Sequence, residues 1–250
     1  MSEHIATRLY IPGPLESGAD VPLGGAQAHR LRNVLRLGAG AAVAAFNERD
    51  GEWYCSIAEL GRNAGALAVG DRLRPPELET DLWLIFAPVK RARLDWLVEK
   101  ATELGCSALL PVWTARTQTE RVNLERLAAL AVAAAEQSER LSVPEIRAPE
   151  RLDRMLAAWP AERPLLVCDE TGGGRPIAEP LAALDGNCAA ALLIGPEGGF
   201  DATELDALRK LPNVTRVGLG PRVLRAETAA LAAVAVFQAL VGDWRRARPR

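Results

Sequence analysis

A glycine-rich segment, Ile194-Gly195-Pro196-Glu197-Gly198-Gly199-Phe200, separates an apolar run from a stretch that can start a helix. Three glycines in five residues let the main chain approach a bound molecule closely, and α/β proteins bind ligands where parallel strands end. No Lys-Ser/Thr pair follows the glycines, so the segment is not a P-loop, and its spacing is not that of a dinucleotide-binding turn. The single carboxylate of Glu197 suits a cationic or hydroxylated ligand. The alternative is a glycine-rich turn without a ligand.

A second unusual segment runs from Gly218 to Thr228. A predicted strand ends there and a Gly-Pro loop follows. Arg225, Glu227 and Thr228 then lie at the start of a predicted helix that is otherwise rich in alanine. Glu227 fits a helix N-terminus electrostatically, whereas Arg225 opposes the helix dipole. A cation in that position has a partner or binds an anionic substrate, or it is a surface side chain without a role.

Charged clusters elsewhere are open to two interpretations. Glu136-Gln137-Ser138-Glu139-Arg140 ends a predicted helix, and Lys90, Arg91 and Arg93 follow a predicted strand. Both groups could be solvated surface or could contact a substrate. Two further stretches are basic: no acidic residue lies between Asp20 and Glu48, and the tail after Asp243 is rich in arginine. Their arginines are Arg30, Arg32 and Arg36, and Arg245, Arg246, Arg248 and Arg250.

Composition indicates an ordinary globular protein. The chain has 250 residues, of which 49% are apolar and 25% charged. Its net charge of −2 does not by itself indicate nucleic acid, so any RNA contact must come from local basic stretches. Four cysteines stand far apart with only two histidines, which predicts reduced, buried thiols and no metal site. No apolar run is long enough for a membrane and the first residues lack a secretory signal, so we expect a cytoplasmic location.

The elements that would position these residues change character along the chain. Short strand-like runs bounded by turn residues, with one helical piece, predict a small β-barrel-like domain first. The stiff Arg74-Pro75-Pro76 stretch is the predicted boundary. Apolar strands then alternate with helices, which is typical of a parallel sheet covered on both faces. Predicted strands lie at 5–11, 41–47, 52–60, 67–69, 82–87, 108–112, 165–168, 190–194 and 214–217, and predicted helices at 25–37, 93–104, 123–140, 201–210 and 226–240.

Five segments, in order and at sensible spacing, resemble the RsmE family of 16S ribosomal RNA uridine-N3 methyltransferases, within the knotted SPOUT superfamily. The resemblance covers nearly the whole chain, although Glu139 stands where the family has glycine and Val223 where it has isoleucine. The segments are His29-Arg30-Leu31-Arg32-Asn33-Val34-Leu35-Arg36-Leu37, Lys100-Ala101-Thr102-Glu103-Leu104-Gly105, Glu136-Gln137-Ser138 with Arg140, the glycine-rich segment 194–200, and Leu219-Gly220 with Val223-Leu224-Arg225-Ala226-Glu227-Thr228-Ala229.

The resemblance implies a specific fold and activity. It implies an α/β protein with an N-terminal PUA-like β-barrel that holds RNA, at 1–74, and a C-terminal SPOUT domain with a deep trefoil knot, at 77–250. The activity would be S-adenosylmethionine-dependent methylation of N3 of one uridine, position 1498 in the standard numbering, in the 16S RNA of the small ribosomal subunit. The family works as homodimers in which the partner subunit completes each active site, without a metal or a membrane.

The resemblance also assigns roles to residues. Backbone groups of three loops would bind the cofactor, and N3 of uridine must lose its proton, so a fixed cation near the developing anion would favour reaction. Arg225 is the first choice for that cation and Arg140 the second. Glu136 or Glu197 could accept the proton. Arg30, Arg32 and Arg36 would contact phosphates beside an unstacked target base. The expected cofactor-binding residues are Val167, Ile194, Gly195, Pro196, Glu197, Gly198, Gly199, Leu219, Gly220, Val223 and Leu224.

Three alternatives remain at the level of sequence. A non-enzymatic RNA-binding protein would need only the barrel and the basic stretch, but it leaves the glycine-rich loops unexplained. An α/β enzyme for a phosphorylated small molecule lacks its usual phosphate-binding motifs here. The third alternative is another knotted methyltransferase that acts on a different base or RNA. Only the resemblance of the five segments above argues against it.

Overall fold

The computed structural model describes residues 4–119, 121–186 and 188–246, so Arg248 and Arg250 of the basic tail lie outside the described residues. These residues form two compact units. The first contains the described residues up to Leu78 together with Ala135–Val143, and the second contains Glu79–Ala134 and the described residues from Pro144 onward. The domain ranges 1–74 and 77–250 stay predictions.

The first unit is built around a five-stranded sheet in the order β1-β3-β4-β5-β2. β1 pairs with β3 in parallel, and the other pairs are antiparallel. Alternating side chains of the strands fill one apolar core that includes Leu9, Val43 and Ile57. Its elements are β1 (Arg8–Tyr10), β2 (Asp20–Leu23), α1 (Gly25–His29), a π-helical turn (Arg30–Val34), β3 (Ala42–Asn47), β4 (Gly51–Leu60) and β5 (Gly65–Arg74).

Two details of this unit differ from the sequence prediction. β2 has no counterpart among the predicted strands. Its Pro22 cannot donate a ladder hydrogen bond, and the structure accommodates this residue on an edge strand, which pairs only with β5. The helical piece at 25–37 is confirmed in part, because it changes after His29 into a π-helical turn in which the amide of Leu35 bonds the carbonyl of Arg30. Arg36, with φ 56°, ends it.

The second unit contains the alternation of strands and helices that the sequence predicts. Its main sheet is entirely parallel, in the order β11-β13-β10-β12-β6-β7-β8, and β9 pairs with β7. The central strands are buried along their whole length, which explains their unbroken apolar sequences. Its elements are β6 (Leu82–Phe86), α2 (Arg91–Glu103), β7 (Ala108–Trp113), α3 (Leu124–Gln137), β8 (Glu145–Ile146), β9 (Glu150–Arg151), α4 (Leu152–Ala157), β10 (Leu165–Cys168), β11 (Arg175–Pro176), α5 (Ala178–Ala182), β12 (Ala190–Ile194), α6 (Ala202–Arg209), β13 (Val214–Gly218), α7 (Ala226–Leu240) and a 3-10 turn (Asp243–Arg245).

The predicted helix signals are confirmed at three ends. Asp201 and Glu204 form a capping box at the start of α6, with bonds of 2.8 and 2.9 Å. The carboxamide oxygen of Asn123 accepts the amide of Arg126 at 3.0 Å before α3. Gly105, with φ 90°, ends α2 as expected. On the inner face of α3 Leu127 is buried, whereas Leu124 and Leu130 are only partly buried because the buried stripe continues through alanines.

The prediction that α3 reaches Arg140 is wrong by one turn. The helix ends at Gln137, because Glu139 takes a left-handed conformation with φ 62°. The amide of Arg140 then bonds the carbonyl of Ala135 at 3.2 Å, as in a Schellman motif. The guanidinium of Arg8 donates to the carbonyls of Ala135, Glu136 and Arg140 at 2.8–3.1 Å, which places a cation at the negative end of the helix dipole.

Candidate active site

One cavity of about 830 Å³ opens at the carboxyl ends of three neighbouring strands, β13, β10 and β12. Because the sheet is parallel, the segments that follow these strands meet at one edge. The cavity is within the size range of small-molecule sites. Its lining comes from 168–170, 172, 174 and 176 after β10, from 194–197 after β12, and from 218–226 with Ala229 after β13.

Bare main chain forms much of this lining because several positions have no room for a side chain. A Cβ on Gly174 would lie 2.5 Å from the carbonyl carbon of Val217, and one on Gly195 would lie 2.9 Å from the ring of Phe200. Gly199, which lies beside the lining, has φ 69°, and a Cβ there would collide with the carboxylate of Glu170. The loops therefore approach one another more closely than other residues permit.

Three carboxylates lie on the side of the cavity formed by the loops after β10 and β12. Asp169 bonds the hydroxyl of Thr171 and pairs with Arg216. Burial raises the pKa of Asp169, but the bonds from Thr171 and Arg216 outweigh it and hold the pKa below its ordinary value. Glu197 pairs with Arg93 at 2.5 Å. Glu170 has no ion-pair partner within the described ranges of the chain, so its charge is available to a cation.

The opposite side of the cavity is basic. Arg222 and Arg225 line the loop after β13, are exposed, and make no ion pair with any residue that the structure describes. Arg225 is the N-cap residue of α7 and forms no side-chain cap. Arg225 therefore adds a cation at the positive end of the helix dipole, without a compensating anion among the described residues, an arrangement suited to an anionic ligand. The cavity thus has an acidic side and a basic side.

Cys168 is the one thiol among the described residues that line the cavity. Burial raises the pKa of Cys168 to about 12. The thiol is therefore protonated near neutral pH and is a poor nucleophile, because the thiolate is the reactive form. The cavity accordingly suits a reaction without covalent attachment to cysteine.

The structure brings together most of the residues that the sequence assigned to the cofactor. Residues 194–197, Leu219, Gly220, Val223 and Leu224 line the cavity, as does Arg225. Val167 does not line it; its side chain is completely buried in the core of the second unit because it points into the sheet packing one residue before the strand ends. Gly198 and Gly199 also lie outside the lining, where the Gly198 carbonyl accepts a bond from Arg116 at 2.5 Å. The roles of these residues in cofactor binding stay predictions.

The cavity-lining residues between Asp169 and Pro176 were not predicted from the sequence, which indicated only Val167 in this region. The signal was available in Thr171-Gly172-Gly173-Gly174, a glycine run directly after a buried strand. It was less conspicuous than the segment at 194–200 because no helix start follows it. Arg222 was also missed, although it shares the Gly-Pro loop with Arg225.

Glu136 and Arg140 belong to the first unit and do not line the cavity. Glu136 is buried; its carboxylate accepts the amide of Tyr10 at 3.1 Å and pairs with Arg30. Arg140 is buried and donates to the hydroxyl of Ser142 at 2.8 Å. These contacts give both side chains a structural role, and their catalytic roles stay predictions.

The three arginines predicted to hold RNA differ in their surroundings. Arg30 has its guanidinium against Glu136, so much of its charge is neutralised. Arg32 and Arg36 are exposed and form no ion pair among the described residues. The exposed apolar side chains of Val34 and Leu35 lie between them in the sequence. Arg32 and Arg36 are therefore the better placed pair for phosphates.

Two absences complete the description. Among the described residues, no group of three or more metal-binding side chains comes together. No helix in the described ranges is both long and apolar enough to cross a membrane.

Family comparisons match both units. Residues 76–238 match the family model described as an RNA methyltransferase domain, and residues 23–68 match that of an RNA methyltransferase PUA domain. The ribosomal RNA small subunit methyltransferase E of Rickettsia conorii is 31% identical to this chain, over 93% of the chain and 95% of that protein. The protein of the same name from Synechocystis is 30% identical, over 95% and 78%.

A solved structure has the same fold over nearly its full length. It is the ribosomal RNA small subunit methyltransferase E of Neisseria gonorrhoeae bound to S-adenosylmethionine, with a TM-score of 0.85 and 27% identity. The match covers 96% of this chain and all of that one.

Proposed function

The chain belongs to the ribosomal RNA small subunit methyltransferase E family, and we propose that it methylates N3 of one uridine in the 16S RNA of the small ribosomal subunit. It is an RNA methyltransferase with a PUA-like first unit and an α/β second unit of the SPOUT type, and it uses S-adenosylmethionine. The observation that carries the proposal is the cavity of bare main chain with an unpaired arginine at its basic side.

The cavity residues fit S-adenosylmethionine. When bound, this cofactor supplies a methyl group already activated on a positively charged sulfur, so neither a metal nor a cysteine nucleophile is needed. Gly174 and Gly195 allow the cavity loops to pack closely against Val217 and Phe200, which leaves backbone groups in the lining. Glu170, unpaired on the acidic side, is well placed among the lining residues to favour a cation. The trefoil knot remains part of this proposal.

The basic side of the cavity can favour loss of the uridine proton. An imide N3 attacks as its anion, so a fixed cation lowers the barrier as negative charge develops. Arg225 can supply that charge because no described carboxylate neutralises it. Of the two carboxylates named as proton acceptors, Glu197 lines the cavity and Glu136 does not. We therefore assign proton acceptance to Glu197.

We also propose a homodimer, which would complete the site. The exposed apolar side chains Trp96, Leu240 and Trp244 lie on α2, on α7 and directly after α7, and these two helices pack against each other. Val223 is 82% exposed although it lines the cavity, so one wall can still receive a further surface. Methylation of ribosomal RNA by this chain would take place in the cytoplasm.

The test is to map the methylated nucleotide. Purified protein is incubated with S-adenosylmethionine and small ribosomal subunits from cells that lack it, and the RNA is analysed by nuclease digestion and mass spectrometry. We expect one new methyl group, on N3 of a uridine of the 16S RNA, and much slower transfer with the Arg225→Ala variant. A methyl group on another base or on ribose would replace this proposal with another reaction of a knotted methyltransferase.

A further inference from the structure

Arg93 lies where helix electrostatics disfavour it. It is the third residue of α2, whose first turn contains no acidic residue and whose N-cap is Lys90. The start of a helix is the positive end of its dipole, so a guanidinium there must be held by other groups. The structure shows which groups these are.

Two carboxylates from different segments of the second unit pair with Arg93, and one of them, Glu197, lines the cavity. Its Nη1 lies 2.5 Å from Oε1 of Glu197, in the loop after β12. Its Nε lies 3.5 Å from Oε1 of Glu227, in the first turn of α7. The planar guanidinium has five donors in fixed directions, which allows it to engage two acceptors at once. We call Arg93, Glu197 and Glu227 the Arg93 bridge.

Glu227 is the fixed end of the Arg93 bridge. Its side chain is only 10% exposed, and its Oε2 is buried without a hydrogen-bond donor among the described residues. A buried carboxylate without a cation is strongly unfavourable, so Arg93 is bound to Glu227 by necessity. The Glu197 side chain is 53% exposed, and an exposed ion pair contributes little stability by itself. The pair with Glu197 therefore sets the position of the loop rather than the stability of the fold.

We propose that Arg93 is a positioning residue that fastens the loop 195–199 to the start of α7. Since Glu197 lines the acidic side and Arg225 the basic side, the Arg93 bridge sets the separation between the methyl donor and the cation that favours the uridine anion. This inference rests on the proposed function. Arg93 itself does not line the cavity, so its effect is transmitted through Glu197 and the first turn of α7.

The experiment compares Arg93→Gln with Arg91→Gln, a matched change on an exposed side chain two residues away. Calorimetry with S-adenosylmethionine counts the competent sites and measures their affinity. Single-turnover methyl transfer to small ribosomal subunits is then expressed per occupied site. We expect Arg93→Gln to be about 10- to 100-fold slower per occupied site, the effect of a small displacement of reacting groups. Arg91→Gln should match the unaltered protein, and Arg93→Lys should lie between because an ammonium lacks the planar fork.

A second variant separates positioning from folding. Arg93→Gln leaves Glu227 buried and uncompensated, whereas the double variant with Glu227→Gln removes that charge. We expect the double variant to regain thermal stability while its rate per occupied site stays low. A normal rate in Arg93→Gln, or a rate that recovers together with stability, would overturn the inference. If the unaltered protein methylates a different nucleotide, the proposed function fails, and the comparison at Arg93 is still decided on that nucleotide.

Discussion

Arg225 carries the main chemical hypothesis at the level of single residues. Its charge faces a helix start and lacks a carboxylate partner in the described part of the chain, whereas the cavity carboxylates Asp169 and Glu197 each have an arginine. A charge without a counterion in a cavity destabilises the free protein. It stabilises a transition state in which negative charge develops, because it is already oriented. The residue is therefore expected to act on the transition state more than on cofactor binding.

Arg225→Ala should lower single-turnover methyl transfer by about 10²–10³-fold, the usual effect of removing one stabilising donor. Its affinity for S-adenosylmethionine, measured by calorimetry, should change little. Arg209→Ala, on the exposed face of α6, is the control and should leave both quantities unchanged. Near-normal transfer by Arg225→Ala would show that the charge has another purpose.

Cys168 predicts a dependence of stability on pH. Burial raises the pKa of its thiol from 9.0 to about 12, so the folded form keeps the proton that the unfolded form loses. Its contribution is complete below pH 9 and is lost as the pH rises towards 12. Urea unfolding at increasing pH should therefore show a shallower alkaline loss of stability for Cys168→Ala than for the unaltered protein. Methyl transfer at neutral pH should be retained by this variant; its loss with cofactor affinity intact would mean that the thiol takes part.

At the level of elements, the end of α3 contains a strained residue. Glu139, where the resemblance implies glycine, has φ 62°, a conformation that residues with a side chain disfavour. The carbonyl of Glu139 accepts a bond from Arg74 at 3.1 Å, and the Schellman bond to Ala135 follows directly. These two hydrogen bonds therefore maintain the turn, whereas the conformational preference of Glu139 opposes it.

Glu139→Gly should raise the free energy of unfolding by about 0.5–1 kcal/mol, because relief of the strained backbone exceeds the added entropy of the unfolded chain. Ser138→Gly is the matched control and should be neutral or destabilising, since its φ is not positive. Urea unfolding followed by circular dichroism measures both. A loss of stability in Glu139→Gly would mean that its side-chain contacts matter more than its backbone.

At the level of the whole molecule, charge is distributed unevenly despite a net value of −2. Acidic groups pair with arginines inside each unit, as Glu136 does with Arg30 and Asp169 with Arg216. The exposed arginines that remain without partners among the described residues include Arg32 and Arg36 in the first unit and Arg225 in the second. RNA affinity should therefore depend on a few local cations and not on the overall charge.

Arg32→Ala combined with Arg36→Ala should weaken RNA binding and reduce the slope of log K against log salt by roughly 1.4–1.8, corresponding to two lost phosphate contacts. Affinity for S-adenosylmethionine should be unaffected. Arg62→Ala, an exposed arginine of the same unit, controls for a general change in charge. If the slope stays the same while cofactor affinity falls, the two arginines stabilise structure and do not contact phosphates.

The sequence sufficed for features whose cause is local. Apolar runs predicted the parallel strands, Asp201 with Glu204 predicted a helix start, and glycine-rich segments after strands predicted where a cavity would open. Features that depend on residues far apart in the sequence could not be predicted from local patterns. Nothing near Arg93 in the sequence indicates that Glu197 and Glu227 would meet it, and strand β2 with Pro22 is specified by its neighbour β5. Val167 does not line the cavity, because adjacent residues of a strand face opposite sides of the sheet and its side chain packs in the core.

The last turn of α3 is assigned to the first unit although the rest of that helix is assigned to the second. A polypeptide that stops at Leu78 would lose the acceptors of Arg8 and the carboxylate that receives the amide of Tyr10. A transfer of the first unit into another enzyme must therefore include residues 135–143 as a second graft, because this unit is not one contiguous stretch of sequence.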